Sequence, residues 1–336
     1  MSVRPTLEAV GRAAGVSRAT VSRVVNGSPK VSPEAREAVQ RAIAELGYTP
    51  NRAARSLVTR RTDTIALLLS EPEARVFADP FFAAMMRGIT AVTAEVDVNV
   101  VLLVAQDEAE HERARRYLRR DHVDGVVLMS LHGDDPLPTL LEEAGVPTVQ
   151  VGRPMGDADV CYVDADNRGG ARTAVEHLLG GGRRRIATIA GPASMCAGID
   201  RLAGYGDALR AAGLALEPAL VEHGDFDEDS GHAAMRRLLE REPGIDGVFA
   251  ASDLMAVGAL RAIRESGREV PSDVAVVGFD NSPVARHALP PLTTIRQPLD
   301  EMSRHAAELL LRRVRGEDGG ARQVVCPTEL VLRDSA

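Results

Sequence analysis

A chain of 336 residues is too long for one ordinary domain, and a hydrophobic content of 45% is enough for real cores, so two or three folded domains are expected. The formal net charge of −8 hides an uneven distribution: residues 1–61 hold 11 Lys/Arg against 4 Asp/Glu, a net of +7, and the remainder carries −15. No apolar run reaches the roughly 18 residues that span a bilayer, and no apolar leader follows Met1, so a cytoplasmic protein without membrane partners is expected.

The basic end opens with Thr6-Leu-Glu-Ala-Val-Gly-Arg-Ala-Ala-Gly-Val-Ser-Arg-Ala-Thr-Val-Ser-Arg-Val-Val-Asn26, which reads as two short helices joined by a Gly-containing turn. Leu7, Val10, Ala14, Val16, Val21, Val24 and Val25 can pack inward, leaving Ser17, Arg18, Ala19, Ser22 and Arg23 on the outer face of the second helix. That is a helix-turn-helix, whose second helix enters the DNA major groove. A third helix is predicted from Pro33 to Leu46, with Ser32 as N-cap, Pro33 at the first helical position and Gly47 as its stop. The basic segment 48–61 follows. It has too few apolar residues for stable isolated helicity, which suits a hinge that folds only on DNA.

From Asp63 the texture changes. Apolar runs at 64–69, 99–104, 125–129, 148–151, 185–190, 247–250 and 274–279 alternate with helical patterns near 80–96, 108–120, 136–144, 167–180, 198–212, 229–241 and 253–266. Buried strands alternating with crossover helices predict parallel α/β sheets, and there are too many for one unit, so two doubly wound lobes with a crevice at the strand ends are expected. The expected division is a DNA-binding head at 1–50, a hinge helix and linker at 51–62, and a core at 63–336. Within the core, one lobe takes about 63–163 plus 294–325 and the other about 164–293 plus 326–336.

Motifs along the whole chain resemble those of LacI-type (LacI/GalR family) bacterial transcriptional repressors. In the head these are Ala14-Gly-Val-Ser-Arg-Ala-Thr-Val-Ser-Arg-Val-Val-Asn26 and Leu46-Gly-Tyr-Thr-Pro-Asn51. In the core they include Pro80-Phe-Phe82, Asp166-Asn167, Arg201-Leu-Ala-Gly204, Ser252-Asp-Leu-Met-Ala-Val-Gly258 and Val277-Gly-Phe-Asp280. The resemblance implies a helix-turn-helix head on a two-lobed core like that of periplasmic sugar-binding proteins. It also implies that Arg18, Ala19 and Arg23 read base edges. Arginine suits the O6 and N7 of guanine, and alanine a thymine methyl. Thr6, Ser17, Thr20, Ser22 and Asn26 would contact the DNA backbone. Leu57 matches a hinge leucine wedged into the minor groove, flanked by Asn51, Ala54 and Arg55, which implies a kinked, pseudopalindromic operator with a central CpG. The alternatives are arginines that merely solvate a helix face and a leucine that merely packs the linker.

The same resemblance implies that the core binds a small sugar effector. Arg201 matches the arginine that holds ligand oxygens, Asp280 its acidic partner, and Phe226 an aromatic ring under the sugar. Phe81, Phe82 and Ser252 fall in other pocket-lining positions. Without a ligand, Arg201 and Asp280 would be a structural ion pair, and Asp253 could cap the helix that follows it. Phe77 has no such counterpart and keeps the ordinary expectation of a core phenylalanine. Where many relatives have an acidic residue before the arginine, this chain reads Val151-Gly152-Arg153, which leaves room for a larger ligand. Details around Ser17–Thr20, Asn51–Leu57 and Cys161–Gly170 are similar to the cellobiose-responsive repressors of actinobacteria, so cellobiose or a related disaccharide acting as inducer is the expected effector.

No enzyme constellation emerges, and no cofactor or metal is expected. Cys161, Cys196 and Cys326 are far apart without Cys/His ligand spacing, and the eight histidines show none either. His111-Glu112 lacks the metalloprotease continuation, the stretch from Gly180 to Arg185 lacks the Lys-Ser/Thr of a phosphate loop, and no Gly-x-Ser-x-Gly elbow occurs. His177 and Glu176 have no visible partner. The absence of a further leucine heptad after Arg333 favours a homodimer. The remaining readings are a corepressor-dependent regulator or activator of the same family and, more remotely, a sugar-binding protein without DNA function.

Overall fold

The computed structural model describes residues 5–25, 30–48, 61–118, 122–156, 159–317 and 319–336. The chain divides into two compact units, Met1–Thr62 and Asp63–Ala336. In the first, α1 (Leu7–Ala14) starts at Thr6, whose Oγ1 accepts from the Ala9 amide at 3.3 Å, and ends at Gly15 in the left-handed region. The next helix, α2 (Arg18–Val25), starts at Ser17, whose Oγ accepts from the Thr20 amide at 3.1 Å. The third, α3 (Pro33–Leu46), has the expected Ser32 cap and Gly47 stop. Their apolar faces meet in a small core of Val10, Val21, Val24, Val39, Ala42 and Tyr48. Gly11 lies under the turn between α1 and α2, where a β-carbon would come within 2.9 Å of the Val16 carbonyl oxygen. The hinge residues Asn51, Ala54, Arg55 and Leu57, and Asn26 in the head, lie outside the described residues.

The second unit contains two six-stranded sheets. The first is built from β1 (Thr64–Leu69), β2 (Asn99–Val104), β3 (Gly125–Met129), β4 (Thr148–Val151), β5 (Cys161–Ala165) and β11 (Gln323–Cys326), in the order β11-β5-β4-β3-β1-β2. The other takes β6 (Ile186–Ala190), β7 (Val221–His223), β8 (Gly247–Ala250), β9 (Ala275–Asp280), β10 (Thr293–Arg296) and β12 (Glu329–Val331), in the order β12-β10-β9-β8-β6-β7. Every pairing is parallel except β10 with β12. Separate apolar clusters occupy the two faces of each sheet, so both lobes are doubly wound. All seven apolar runs are strands. The strands the sequence did not reveal are β5, β7, β10, β11 and β12, mostly short and at or near sheet edges.

The helices include α4 (Glu73–Ala78), α5 (Pro80–Ala94), α6 (Glu108–Tyr117), α7 (Leu137–Glu143), α8 (Asn167–Gly180) and α9 (Cys196–Ala211). They continue with α10 (Glu228–Arg241), α11 (Asp253–Glu265), α12 (Pro283–His287) and α13 (Leu299–Arg315). The chain passes between sheets three times, after Ala165, after Arg296 and after Cys326. Each lobe boundary expected from the sequence therefore falls inside a strand (β5, β10 or β11) rather than at a crossing. Phe77 corrects an expectation: on the short α4 it is 70% exposed, because that helix buries only Val76. Glu176 has a partner after all, Arg172 one turn back at 2.8 Å.

Candidate functional site

Two regions collect the residues singled out by the sequence. On the head, Ser17, Arg18, Ala19 and Arg23 are exposed along α2, with Thr20 and Ser22 half-buried beside them. Several have local employment. Thr6 and Ser17 cap helices, and the Ser17 and Thr20 hydroxyls lie 3.0 Å apart. Arg18 Nε contacts Glu8 Oε1 across the turn at 3.1 Å, and both side chains are more than half exposed. An exposed pair of this kind contributes little and is easily given up.

The other region is the cleft between the two lobes, at the carboxyl ends of the strands, where ligands bind in open α/β sheets. Counted together with the open solvent at its mouth, it spans about 770 Å³. Phe81, Phe82, Arg201, Phe226, Ser252 and Asp280, scattered over two hundred residues of sequence, all line it. Phe82 is buried against Phe81 in an edge-on pair with ring centroids 5.4 Å apart, so Phe81 presents the more accessible ring.

Arg201, on α9, is 4% exposed and held on three sides. Its Nε donates to Asn167 Oδ1 at 2.9 Å, its Nη1 donates to the Ala251 carbonyl at 2.6 Å, and Nη1 lies 3.5 Å from Asp280 Oδ1. The guanidinium stacks on Phe279 at 3.7 Å from the ring centroid and lies 5.6 Å from that of Phe226. Close approach of α8 and α9 makes this possible: a β-carbon on Gly204 would collide with the Arg168 carbonyl. Burial pushes the Asp280 carboxyl up to about 7, against the opposing pull of Arg201. Asp253 behind it is also raised, by burial and then by the Asp280 charge. Ser252, not Asp253, caps α11: its Oγ accepts from the Met255 amide at 3.2 Å. Asp253 instead accepts from the Ser282 amide at 2.7 Å and from the Thr294 hydroxyl, tying the start of α11 to β10 and to the turn after β9.

The cleft also recruits residues that the sequence did not single out. Arg75, Asp79, Gln150, Asp164, Asn167 and Gln297 line it. Burial raises Asp79 and Asp164 as well. Three guanidiniums (Arg75, Arg153, Arg201) and three acids (Asp79, Asp164, Asp280) thus line it, a wall of donors and acceptors. Ser130, Phe226 and Asp280 hold positive φ angles of 60°, 58° and 120°, the kind of local strain that clusters at binding sites. Gly152 sits on the wall at φ +92° with open space beside it, and Arg153 turns away to pair with Asp200 of the opposite lobe at 2.9 Å. His132 with Ser194 (2.9 Å) and Arg75 with Asp225 (3.6 Å) add further lobe-to-lobe contacts. For Arg153 the sequence signal is the Val151-Gly152-Arg153 departure; Arg75, Asp79, Gln150 and Gln297 carry none.

Folding also produces a grouping that linear spacing hid. Glu301 and His305, one turn apart on α13, meet the buried Cys326 at the end of β11, with ligand atoms within 4.8 Å of one another. Among the described residues this is the one set spaced to hold a metal ion. No helix among them is long and apolar enough to cross a membrane.

Comparison with known proteins matches both parts of the chain. Residues 6–51 match the model for bacterial regulatory proteins of the lacI family, and 175–336 that for a periplasmic binding protein-like domain. The chain is 56% identical to the HTH-type transcriptional regulator CelR of Thermobifida fusca, covering 99% of this chain and 98% of that one. It is 35% identical to the ribose operon repressor of Halalkalibacterium halodurans, over 98% and 96%. Among solved structures, a transcriptional regulator CelR–cellobiose complex superposes with a TM-score of 0.80 at 54% identity, covering 99% of this chain and 100% of that one. A lac repressor dimer bound to operator and the anti-inducer ONPF superposes with a TM-score of 0.86 at 30% identity, covering 99% of each.

Proposed function

Because the chain belongs to the LacI family of bacterial regulatory proteins, we propose that it is a sequence-specific transcriptional repressor whose operator affinity is set by cellobiose or a related disaccharide acting as inducer. The observation that carries the effector reading is the aromatic-lined cleft rich in polar groups. Arg75, Arg153 and Arg201, each already paired with a carboxylate, and the acids Asp79, Asp164 and Asp280 offer donors and acceptors to a polyol, with Phe226 among them. The relative solved with cellobiose, similar over the whole chain, supports the choice of sugar. Arg201 and Asp280 hold the sugar from the second lobe, Phe81, Phe82 and Phe226 pack against its rings, and Ser252 shapes the wall through its helix cap.

On DNA, a cytoplasmic homodimer sets two heads on the half-sites of a pseudopalindrome. Arg18 exchanges Glu8 for a guanine edge, Arg23 reads a second base, and Ala19 packs on a thymine methyl. Thr6, Ser17, Thr20, Ser22 and Asn26 hold the backbone, and Leu57, with Asn51, Ala54 and Arg55 beside it, wedges a central CpG. The protein is a regulator and not an enzyme. A gel shift with the DNA upstream of its own gene tests this: a specific complex that cellobiose releases is expected. A chain that shifts only when a sugar is added supports the corepressor reading instead. A chain that binds sugar but shifts no DNA overturns the repressor.

A further inference from the structure

Among the described residues, two buried side-chain polar atoms lack a hydrogen-bond partner: Gln150 Oε1 and Arg75 Nε. Both residues line the interlobe cleft, and both belong to the first lobe. Gln150 comes from β4 and is 5% exposed. Arg75 comes from the short α4, where its Nη1 is held by Glu71 Oε2 at 3.0 Å and by Asp225 at 3.6 Å, with the guanidinium 5.5 Å from the Phe226 centroid. Glu71 is itself fixed, accepting from Ser130 Oγ at 2.6 Å with His132 Nε2 at 3.0 Å. The arginine is therefore held in place.

A buried acceptor and a buried donor left unpaired each cost free energy, and such orphans are rare enough that two in one cleft call for a cause. The second lobe shows the contrast. Arg201 spends Nε and Nη1 on protein partners, whereas Gln150 Oε1 and Arg75 Nε have none, although both residues line the same cleft.

We propose that Gln150 and Arg75 form the first lobe's half of the sugar subsite. The Gln150 carbonyl accepts from a sugar hydroxyl, and the Arg75 Nε–H donates to a sugar oxygen. They set specificity, because a ligand without a matching donor and acceptor leaves both groups buried and unsatisfied. The proposal rests on the sugar-effector reading and names the partners of that site.

Calorimetric titration of the full-length chain with cellobiose tests it, using Gln150→Leu and Arg75→Lys. Lysine keeps a cation for Glu71 and Asp225 but removes the Nε–H. Each variant is expected to lower affinity about tenfold or more. The melting temperature of ligand-free Gln150→Leu is expected to equal or exceed that of the wild type, since an orphan carbonyl gives way to an apolar group of similar shape. Wild-type affinity in both variants, or an affinity loss that tracks a lowered melting temperature, overturns the subsite while leaving the effector reading intact. No heat from the wild-type chain with any sugar overturns the effector reading and the subsite together.

Discussion

The head and the cleft both carry arginines at the centre of their chemistry, but hold them in opposite ways. Arg18 is exposed and borrowed by Glu8 across one turn, whereas Arg201 is buried, stacked on Phe279 and hydrogen-bonded on two nitrogens. The head keeps Arg18 loose on a minimal core, where it can exchange one partner for another. The cleft fixes its groups in advance at the cost of buried charge and local backbone strain. The difference matches the tasks: a surface that must search a long polymer needs cheap exchange, and a pocket that must tell small sugars apart needs preorganisation.

The contrast breaks most visibly at Arg201. Replacing it by leucine strands Asn167 Oδ1, the Ala251 carbonyl and the Asp280–Asp253 pair in the interior. A loss of about 3–5 kcal/mol in core stability is expected by denaturant unfolding, with sugar binding abolished. The corresponding change at Arg18 should leave the unfolding curve where it was. A milder blow suffices for the head, whose described core contains six fully or nearly buried apolar residues. Val21→Ala should cost about 2 kcal/mol there. Scanning calorimetry should show a lowered transition of the head alone, with operator binding weakened and cellobiose affinity kept.

How far each site could be read from the sequence follows the same division. In the head every contact is local, so Leu7, Val10, Val21 and Val24 betray their faces by spacing. The caps at Ser32 and Gly47 announce themselves by residue type. In the core the long apolar strands are legible for the same reason. The cleft is not, because it is assembled from residues at or beyond the ends of nine strands. Only resemblance brought Arg201, Phe226 and Asp280 together. Arg75 and Gln150 carry no pattern of their own, since neither a short helix nor one polar residue inside a strand says which cavity it faces. The edge strands β7, β11 and β12 are three or four residues long and half exposed, too short for an alternation to register.

A pH titration sharpens the comparison at smaller amplitude. Burial holds Asp280 protonated up to about pH 7 in the folded chain, whereas the unfolded chain releases that proton near pH 4. The native state therefore binds more protons between these values, and core stability should decline as pH rises from about 4 to about 7. Asp280→Asn should flatten that slope. If the ionised carboxylate accepts from the sugar, cellobiose binding releases protons below pH 7. Its heat should then depend on the ionisation enthalpy of the buffer, while the melting of the head should not respond in this window. The smallest effect is expected for Glu8→Ala. Freeing Arg18 should leave stability unchanged and raise operator affinity at most a few-fold in anisotropy titrations at low salt.

Coupling between the two regions is the central claim, and linkage makes it measurable from the cleft side. Cellobiose affinity should be determined calorimetrically for the protein alone and for the protein saturated with its operator. The account predicts weaker sugar binding in the DNA complex, by the same factor by which cellobiose weakens operator binding. Equal cellobiose affinity with and without operator would contradict it.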